Sequence, residues 1–201
     1  MRKEKSFARS LIQPFVVAAL MAIALRHTAV QAFAIPSASM MPALAPGDHI
    51  LVTPLSFSDE RSAPVRGDVV VFRSPMNGEP LVKRVIAVPG DLIEVRGRVL
   101  INGRILEEPY LAKGTSSGTI TPVLLAPDTY FVMGDSRNDS VDSRAWGTVS
   151  RDALMGRARM IFWSDTRLNQ RPVARAESQQ ADRSPQTPSR IQWHRIFRPI
   201  H

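Results

Sequence analysis

The sequence predicts a mostly β protein, an antiparallel sheet or barrel set behind one N-terminal membrane-spanning helix. Three observations carry this expectation. Short β-branched runs succeed one another between residues 49 and 133, and turn-forming Gly and Asn dipeptides separate them. The longest apolar stretch lies near the start, behind a cluster of basic residues.

The N-terminal segment comes first. Residues 2–9 carry Arg2, Lys3, Lys5 and Arg9 against Glu4 alone. As a helix, the apolar run 11–25 covers only ~22 Å of the ~30 Å hydrocarbon core. Extended to 10–34 it is long enough, with Arg26 and His27 reaching to the far interface. A basic flank ahead of an apolar span faces the cytoplasm, which puts the remainder of the chain outside. Residues 1–9 therefore read as a cytoplasmic basic tail and 10–34 as a single-pass anchor in the lipid bilayer. A buried core helix is one alternative. A cleavable leader ending at Ala32-Phe33-Ala34 is the other, since small residues flank that site. Arg26-His27 interrupts the approach to such a cut and Ile35-Pro36 follows it, so a retained anchor is preferred.

Beyond residue 35 the runs 49–53 (HILVT), 68–72 (DVVVF), 81–88 (LVKRVIAV), 92–95, 99–101 and 130–133 read as strands. Pro46-Gly47-Asp48, Arg66-Gly67-Asp68, Asn77-Gly78, Pro89-Gly90-Asp91 and Asn102-Gly103 supply the turns between them. Short strands at this spacing suggest an antiparallel sheet or barrel over 35–164. The later helical candidate, 151–153, is short. Residues 165–190 are rich in Arg, Gln, Ser, Asp and Pro and read as a flexible polar linker. Residues 191–201 (IQWHRIFRPIH) regain aromatics and arginines, which fits a closing strand or a membrane-surface patch.

Composition narrows the chemistry. A chain of 201 residues with 44% hydrophobic and 22% charged residues is globular and large enough for one real core. The absence of cysteine excludes disulfides, thiol nucleophiles and zinc–thiolate sites. The four histidines are scattered and no HExxH, phosphate-loop or dinucleotide pattern occurs, so neither a metal nor a cofactor is expected. Gly114 to Gly118 spells G-x-S-x-G without the flanking strand and helix of a nucleophile elbow, and reads as a loop. The net charge of +8 calls for acidic partners, nucleic acid or anionic lipid, but the excess is concentrated at the two ends of the chain.

Only four of the 26 basic residues are lysines: Lys3, Lys5, Lys83 and Lys113. Strand alternation places Lys83 on one face with Leu81, Val85 and Ala87, while Arg84 points the other way. An ammonium on an apolar face is poorly solvated, which lowers its pKa from ~10.4 toward the range a general base needs. The competing account is a lysine extending past its neighbours at a sheet edge. Composition alone likewise leaves Ser37 and Ser39 equal as nucleophile candidates.

Three segments, IPSASMMPAL (35–44), LVKRVIAVPGD (81–91) and GDSRNDSVDSRAWG (134–147), resemble in order and spacing the serine, lysine and third boxes of bacterial signal peptidase I. RGDVVVF (66–72) fits the same pattern, and the likeness covers most of residues 10–163. The resemblance implies a membrane-bound Ser/Lys-dyad serine endopeptidase whose β domain removes N-terminal signal peptides from exported preproteins after Ala-x-Ala. It implies Ser39 as nucleophile and Lys83 as general base. The oxyanion hole would be the Ser39 N–H and the Ser37 hydroxyl. Ser140 would orient the Lys83 amine, Asp142 and Arg144 would support that loop, Asp135 would pair with Arg84, and Gly134 would leave room beside the lysine.

The resemblance also implies a groove for an extended peptide between the strand before Ser37 and the strand carrying Lys83. Phe33, Ile35, Pro36, Met40, Leu44, Leu81 and Val82 match its lining positions. Leu81 departs from members with an aromatic there, and the short stretch 92–133 implies no large inserted subdomain. The implied setting is the bacterial inner membrane, with the catalytic domain on its outer face. Dedicated processing of one pilus or transfer protein is a narrower version of the same chemistry. A basic nucleic-acid-binding barrel is disfavoured, because aromatics make up only 6% of the chain and the anchor would go unexplained. A soluble self-cleaving repressor would carry a DNA-binding domain where the anchor stands, and a catalytically dead scaffold is disfavoured by the filled dyad positions.

Overall fold

The structure is a computed structural model that describes residues 30–55, 63–165 and 195–200. The main sheet contains eight strands, all pairs antiparallel. They are β1 (Gln31–Ala34), β2 (Asp48–Pro54), β3 (Val69–Arg73), β4 (Pro80–Ala87), β9 (Thr129–Met133), β10 (Val149–Ser150), β11 (Leu154–Ser164) and β12 (Arg198–Pro199). Their order is β1-β2-β11-β3-β4-β9-β10, with β12 added on β11. A second sheet, β7-β6-β5-β8, is built from β5 (Leu92–Arg96), β6 (Arg98–Ile101), β7 (Arg104–Ile105) and β8 (Thr119–Leu124). One short helix, α1 (Ser143–Trp146), follows β9.

Each predicted run forms a strand, with its ends displaced by at most one residue. Period-two patterns place the buried side chains, whereas hydrogen bonding sets the ends. The long central strand β11 was not anticipated. Its sequence, LMGRARMIFWS, interrupts the apolar pattern with Gly156, Arg157 and Arg159, and register shifts break the alternation further. Gly156 is required there: a Cβ would lie 2.5 Å from Val52 Cγ1 and 2.7 Å from the Thr53 carbonyl oxygen. The 3-10 turn Arg151–Ala153 occupies the expected short helix.

One boundary needs correction. The anchor expected over 10–34 ends too late, because Gln31–Ala34 is strand β1, with Ala34 opposite His49 and Gln31 opposite Val52 of β2. The rest of the expected membrane-spanning helix, up to residue 29, lies outside the described residues, as does 166–190, most of the expected linker. Among the described residues no helix is long and apolar enough to cross a membrane. Of the two readings of 191–201, the described part follows the closing strand: Arg198 and Pro199 pair with Ile161 and Met160 of β11.

Three apolar clusters fill the fold. The first joins Ile35, Met40 and Leu44, from the connection between β1 and β2, to Ile50, Val52, Val69, Val71, Ala158 and Ile161. The second packs Ile86, Ala87, Phe131 and Met133 of the main sheet against Ile93, Val95, Val99 and Ile101 of the small one. The third gathers Val70, Phe72, Val85, Tyr130, Val132, Val149 and Leu154. Leu81 packs against this third cluster with Val85, as alternation predicts for the Lys83 face. Ala87 does not, because β4 and β9 shift register between Val85 and Ala87, which turns Ala87 into the second cluster.

Candidate active site

Ser39 sits in an irregular loop whose ends are tied together. The Ile35 N–H donates to the Asp48 carbonyl at 2.8 Å and the Gly47 N–H to the Ile35 carbonyl at 2.9 Å. Two local turns, Met41 N to Ala38 O at 3.0 Å and Leu44 N to Met40 O at 2.8 Å, shape the interior. Met40 and Leu44 insert into the first cluster and so pin the loop from below. Lys83 comes from the middle of β4, opposite Val70 of β3.

These elements bring the Lys83 Nζ to 2.6 Å from Ser39 Oγ, with Lys83 4% and Ser39 9% exposed. Burial lowers the Lys83 pKa to about 8; Asp142 opposes this, Arg144 adds to it, and Asp135 again opposes it. The desolvation argued from the strand pattern is therefore present, and the lysine is not at an open edge. Ser37 Oγ lies 3.1 Å from Ser39 Oγ. Among the described residues no backbone acceptor takes the Ser39 N–H, so this N–H and the Ser37 hydroxyl lie beside the Ser39 Oγ.

The loop after β9 closes the other side. Gly134 is where it passes closest, since a Cβ there would stand 2.3 Å from Ser140 Oγ and 2.5 Å from the Ser39 carbonyl oxygen. The Ser136 N–H donates to that same carbonyl at 3.0 Å. Asp142 is the hub of the loop. It accepts from the Gly134 N–H at 3.0 Å, the Ser140 hydroxyl at 2.7 Å and Arg144 Nε at 2.8 Å. Burial raises the Asp142 pKa, but the bonds from Arg144, Gly134 and Ser140 outweigh it and the carboxyl titrates below its ordinary value. Ser140 thus donates its proton to Asp142, while its oxygen keeps lone pairs able to accept from an amine.

Arg84 and Asp135 form the expected pair, Nε to Oδ1 at 2.8 Å and Nη2 to Oδ2 at 2.7 Å, with both side chains 0% exposed. The Arg84 guanidinium also lies 4.0 Å over the Tyr110 ring. Sequence reasoning missed the braces beneath this loop. Arg137 is buried and bonded to Glu108 and Ser117 from the small-sheet segment, and Arg144 Nη1 donates to the Ser117 carbonyl at 3.1 Å. The buried Arg137 lies inside the recognised third segment, but no local pattern marks Glu108 or Ser117.

The expected groove residues divide into two groups. Phe33, Leu81 and Val82 are half-buried and Pro36 is exposed. Ile35, Met40 and Leu44 are core residues, and Leu44, at 0% exposed, offers a bound peptide no surface. Their apolar character serves the loop's anchorage. The 114–118 segment is a loop, with Gly114 and Gly118 both at positive φ. Among the described residues no group of side chains is arranged to hold a metal ion.

The site thus places a buried lysine on a serine hydroxyl inside a β fold. Residues 8–163 match the family described as "Signal peptidase, peptidase S26". The chain is 36% identical to a signal peptidase I of Leptolyngbya laminosa, over 79% of this chain and 81% of that one. It is 37% identical to a probable signal peptidase I-2 of Synechocystis (76% of this chain, 72% of the relative) and 32% to signal peptidase I T of Bacillus subtilis (77% and 85%). A solved signal peptidase I from Enterococcus faecalis aligns at 33% identity over 47% of this chain and 96% of its own, with TM-score 0.42. The chain belongs to the signal peptidase family, peptidase S26, and is a hydrolase of the serine endopeptidase kind.

Proposed function

We propose that this chain is a membrane-anchored endopeptidase that removes signal peptides from exported preproteins, with Ser39 as nucleophile and Lys83 as general base. The observation that carries the reading is the 2.6 Å approach of a buried Lys83 Nζ to Ser39 Oγ. The neutral amine takes the Ser39 proton as Oγ attacks the scissile carbonyl. The Ser39 N–H and the Ser37 hydroxyl receive the developing oxyanion. The Lys83 ammonium then gives its proton to the departing amine, which leaves an acyl-enzyme on Ser39. Water, deprotonated by the same amine, releases the signal peptide's carboxylate. No step calls for a metal or cofactor.

The substrate would bind as an extra strand. β1 ends the main sheet and pairs only with β2 among the described strands, which leaves a backbone edge beside Pro36 and Ser37. Phe33 and Val82 both pack on the first cluster, so the β1 and β4 sides of the groove share one floor. In the membrane reading, the basic N-terminus is cytoplasmic, residues before β1 cross the bilayer once, and the active site faces outward near the lipid surface.

The test is cleavage of several unrelated preproteins in detergent or vesicles by wild type and Ser39→Ala. Expected are cuts after small residues in all of them by wild type, and loss by more than about a thousandfold in the variant. Cleavage of a single preprotein would replace general by dedicated processing. A Ser39→Ala enzyme at wild-type rate would exclude Ser39.

A further inference from the structure

Asp48 opens β2 and is 0% exposed, a carboxylate that must find its hydrogen bonds within the protein. Its own turn supplies one, the Ala45 N–H at 2.8 Å to Oδ2, and Ser164 at the end of β11 supplies another, at 2.6 Å to Oδ1. The other two come from Arg195, Nε to Oδ1 at 3.1 Å and Nη2 to Oδ2 at 2.6 Å. The same Nη2 donates to the Ala43 carbonyl at 3.2 Å. One guanidinium therefore ties the first residue of β2 to the loop four residues beyond Ser39.

Residues 195–200 lie outside the stretch that matches the family, and they are fastened to β11. The Phe197 N–H donates to the Ile161 carbonyl at 2.7 Å and the Ile200 N–H to the Arg159 carbonyl at 3.1 Å. Along β11, β3 occupies one part of the strand (Leu154 to Arg157) and β12 another (Met160 and Ile161). Ile200 packs on the apolar cluster that holds Met40 and Leu44, the residues on either side of Ala43 in the serine loop.

We propose that Arg195 is a positioning residue for Ser39, bridging Asp48 and the Ala43 carbonyl so that the serine loop is held at the correct distance from Lys83. This rests on Ser39 and Lys83 being the reacting pair. Bonds to Asp48 already hold Ile35 and Ala45 of the loop against β2, through the Ile35 N–H to its carbonyl and the Ala45 N–H to its carboxylate, and the Arg195 bridge adds a hold on the Ala43 carbonyl between Ser39 and Ala45. A misplacement of about 1 Å is enough to cost ~100-fold in rate. Lysine would neutralise Asp48 but, as a single point donor on a flexible stem, does not reproduce a planar bridge to two acceptors.

The test uses the full chain as wild type, Arg195→Lys, and the double variant Asp48→Asn/Arg195→Met, with kcat, KM and thermal midpoint measured on one preprotein. Arg195→Lys is expected to keep its midpoint within a few degrees, lose about tenfold in kcat and change KM less than twofold. The double variant removes both buried charges together, so it is expected to stay folded and still lose about tenfold in kcat. Wild-type kcat in either folded variant overturns the proposal, as does a loss confined to KM. A wild-type enzyme that leaves the preprotein intact would instead count against the endopeptidase reading itself.

Discussion

Lys83 Nζ and Ser39 Oγ are 2.6 Å apart across a contact that joins the middle of β4 to the loop between β1 and β2. The amine donates in this arrangement. Once neutral, it holds a lone pair at the same place and accepts the serine proton over the same distance. Burial sets when that happens, because it lowers the lysine pKa to about 8.

The pH dependence of kcat/KM follows. The competent form is the neutral amine, so the rate should rise tenfold per pH unit below about 8 and level off above it. Initial rates on a preprotein between pH 6 and 10 measure this. A flat profile through pH 8 would contradict Lys83 as the base.

Stability should move with the same residue. The folded pKa of Lys83 lies below its ordinary value of 10.5, so between about 8 and 10.5 the unfolded chain holds a proton that the folded chain does not. Stability contributed by this group therefore rises with pH across that window and is lowest below pH 8. Lys83→Met removes the penalty and should stabilise the protein by up to about 3 kcal/mol at pH 6, while abolishing cleavage. The gain should fade as pH approaches 10.5. Urea unfolding at three pH values checks it, and a Met variant less stable than wild type at pH 6 would oppose the desolvation account.

Gly134→Ala should reduce kcat/KM by about 100-fold, because the new Cβ would meet Ser140 Oγ at 2.3 Å and the Ser39 carbonyl oxygen at 2.5 Å. Both neighbours belong to the site, so the loop must shift to make room. Steady-state kinetics on folded variant enzyme is the measurement, and wild-type kinetics would mean that the loop has slack the structure does not show.

Asp135→Ala removes the carboxylate partner of an Arg84 guanidinium at 0% exposure and should destabilise the protein by about 3–5 kcal/mol. Removing both charges, in Arg84→Met/Asp135→Leu, should recover most of that loss. Chemical denaturation distinguishes the two variants, and equal stability in both would show that the pair's charges are not what the site depends on.

What the sequence revealed, and what it hid, divides along physical lines. Lys83 stood out because a single cation on an apolar strand face is visible as a period-two pattern, and Arg84 and Asp135 met as the family resemblance implied. Leu44, Met40 and Ile35 are buried in the core, which their sequence does not reveal, because an apolar side chain beside Ser39 looks the same whether it meets substrate or core. Ala87 was placed on the wrong face because a register shift is invisible to alternation. Glu108, Ser117 and Arg195 left no trace, since they reach the site through tertiary contacts 20 or more residues away in sequence from the atoms they hold. β1 was absorbed into the expected anchor because Gln31–Ala34 continues its apolar character.

The most direct test of the Ser39–Lys83 pair is the single-turnover rate of preprotein cleavage by Lys83→Arg at pH 9, with Lys83→Met alongside as a folded reference. Arginine keeps the charge and the donor but cannot lose its proton in this range. A proton-accepting lysine predicts loss of cleavage by more than about a thousandfold in both variants. Cleavage by Lys83→Arg within tenfold of wild type would show that Lys83 is not the base.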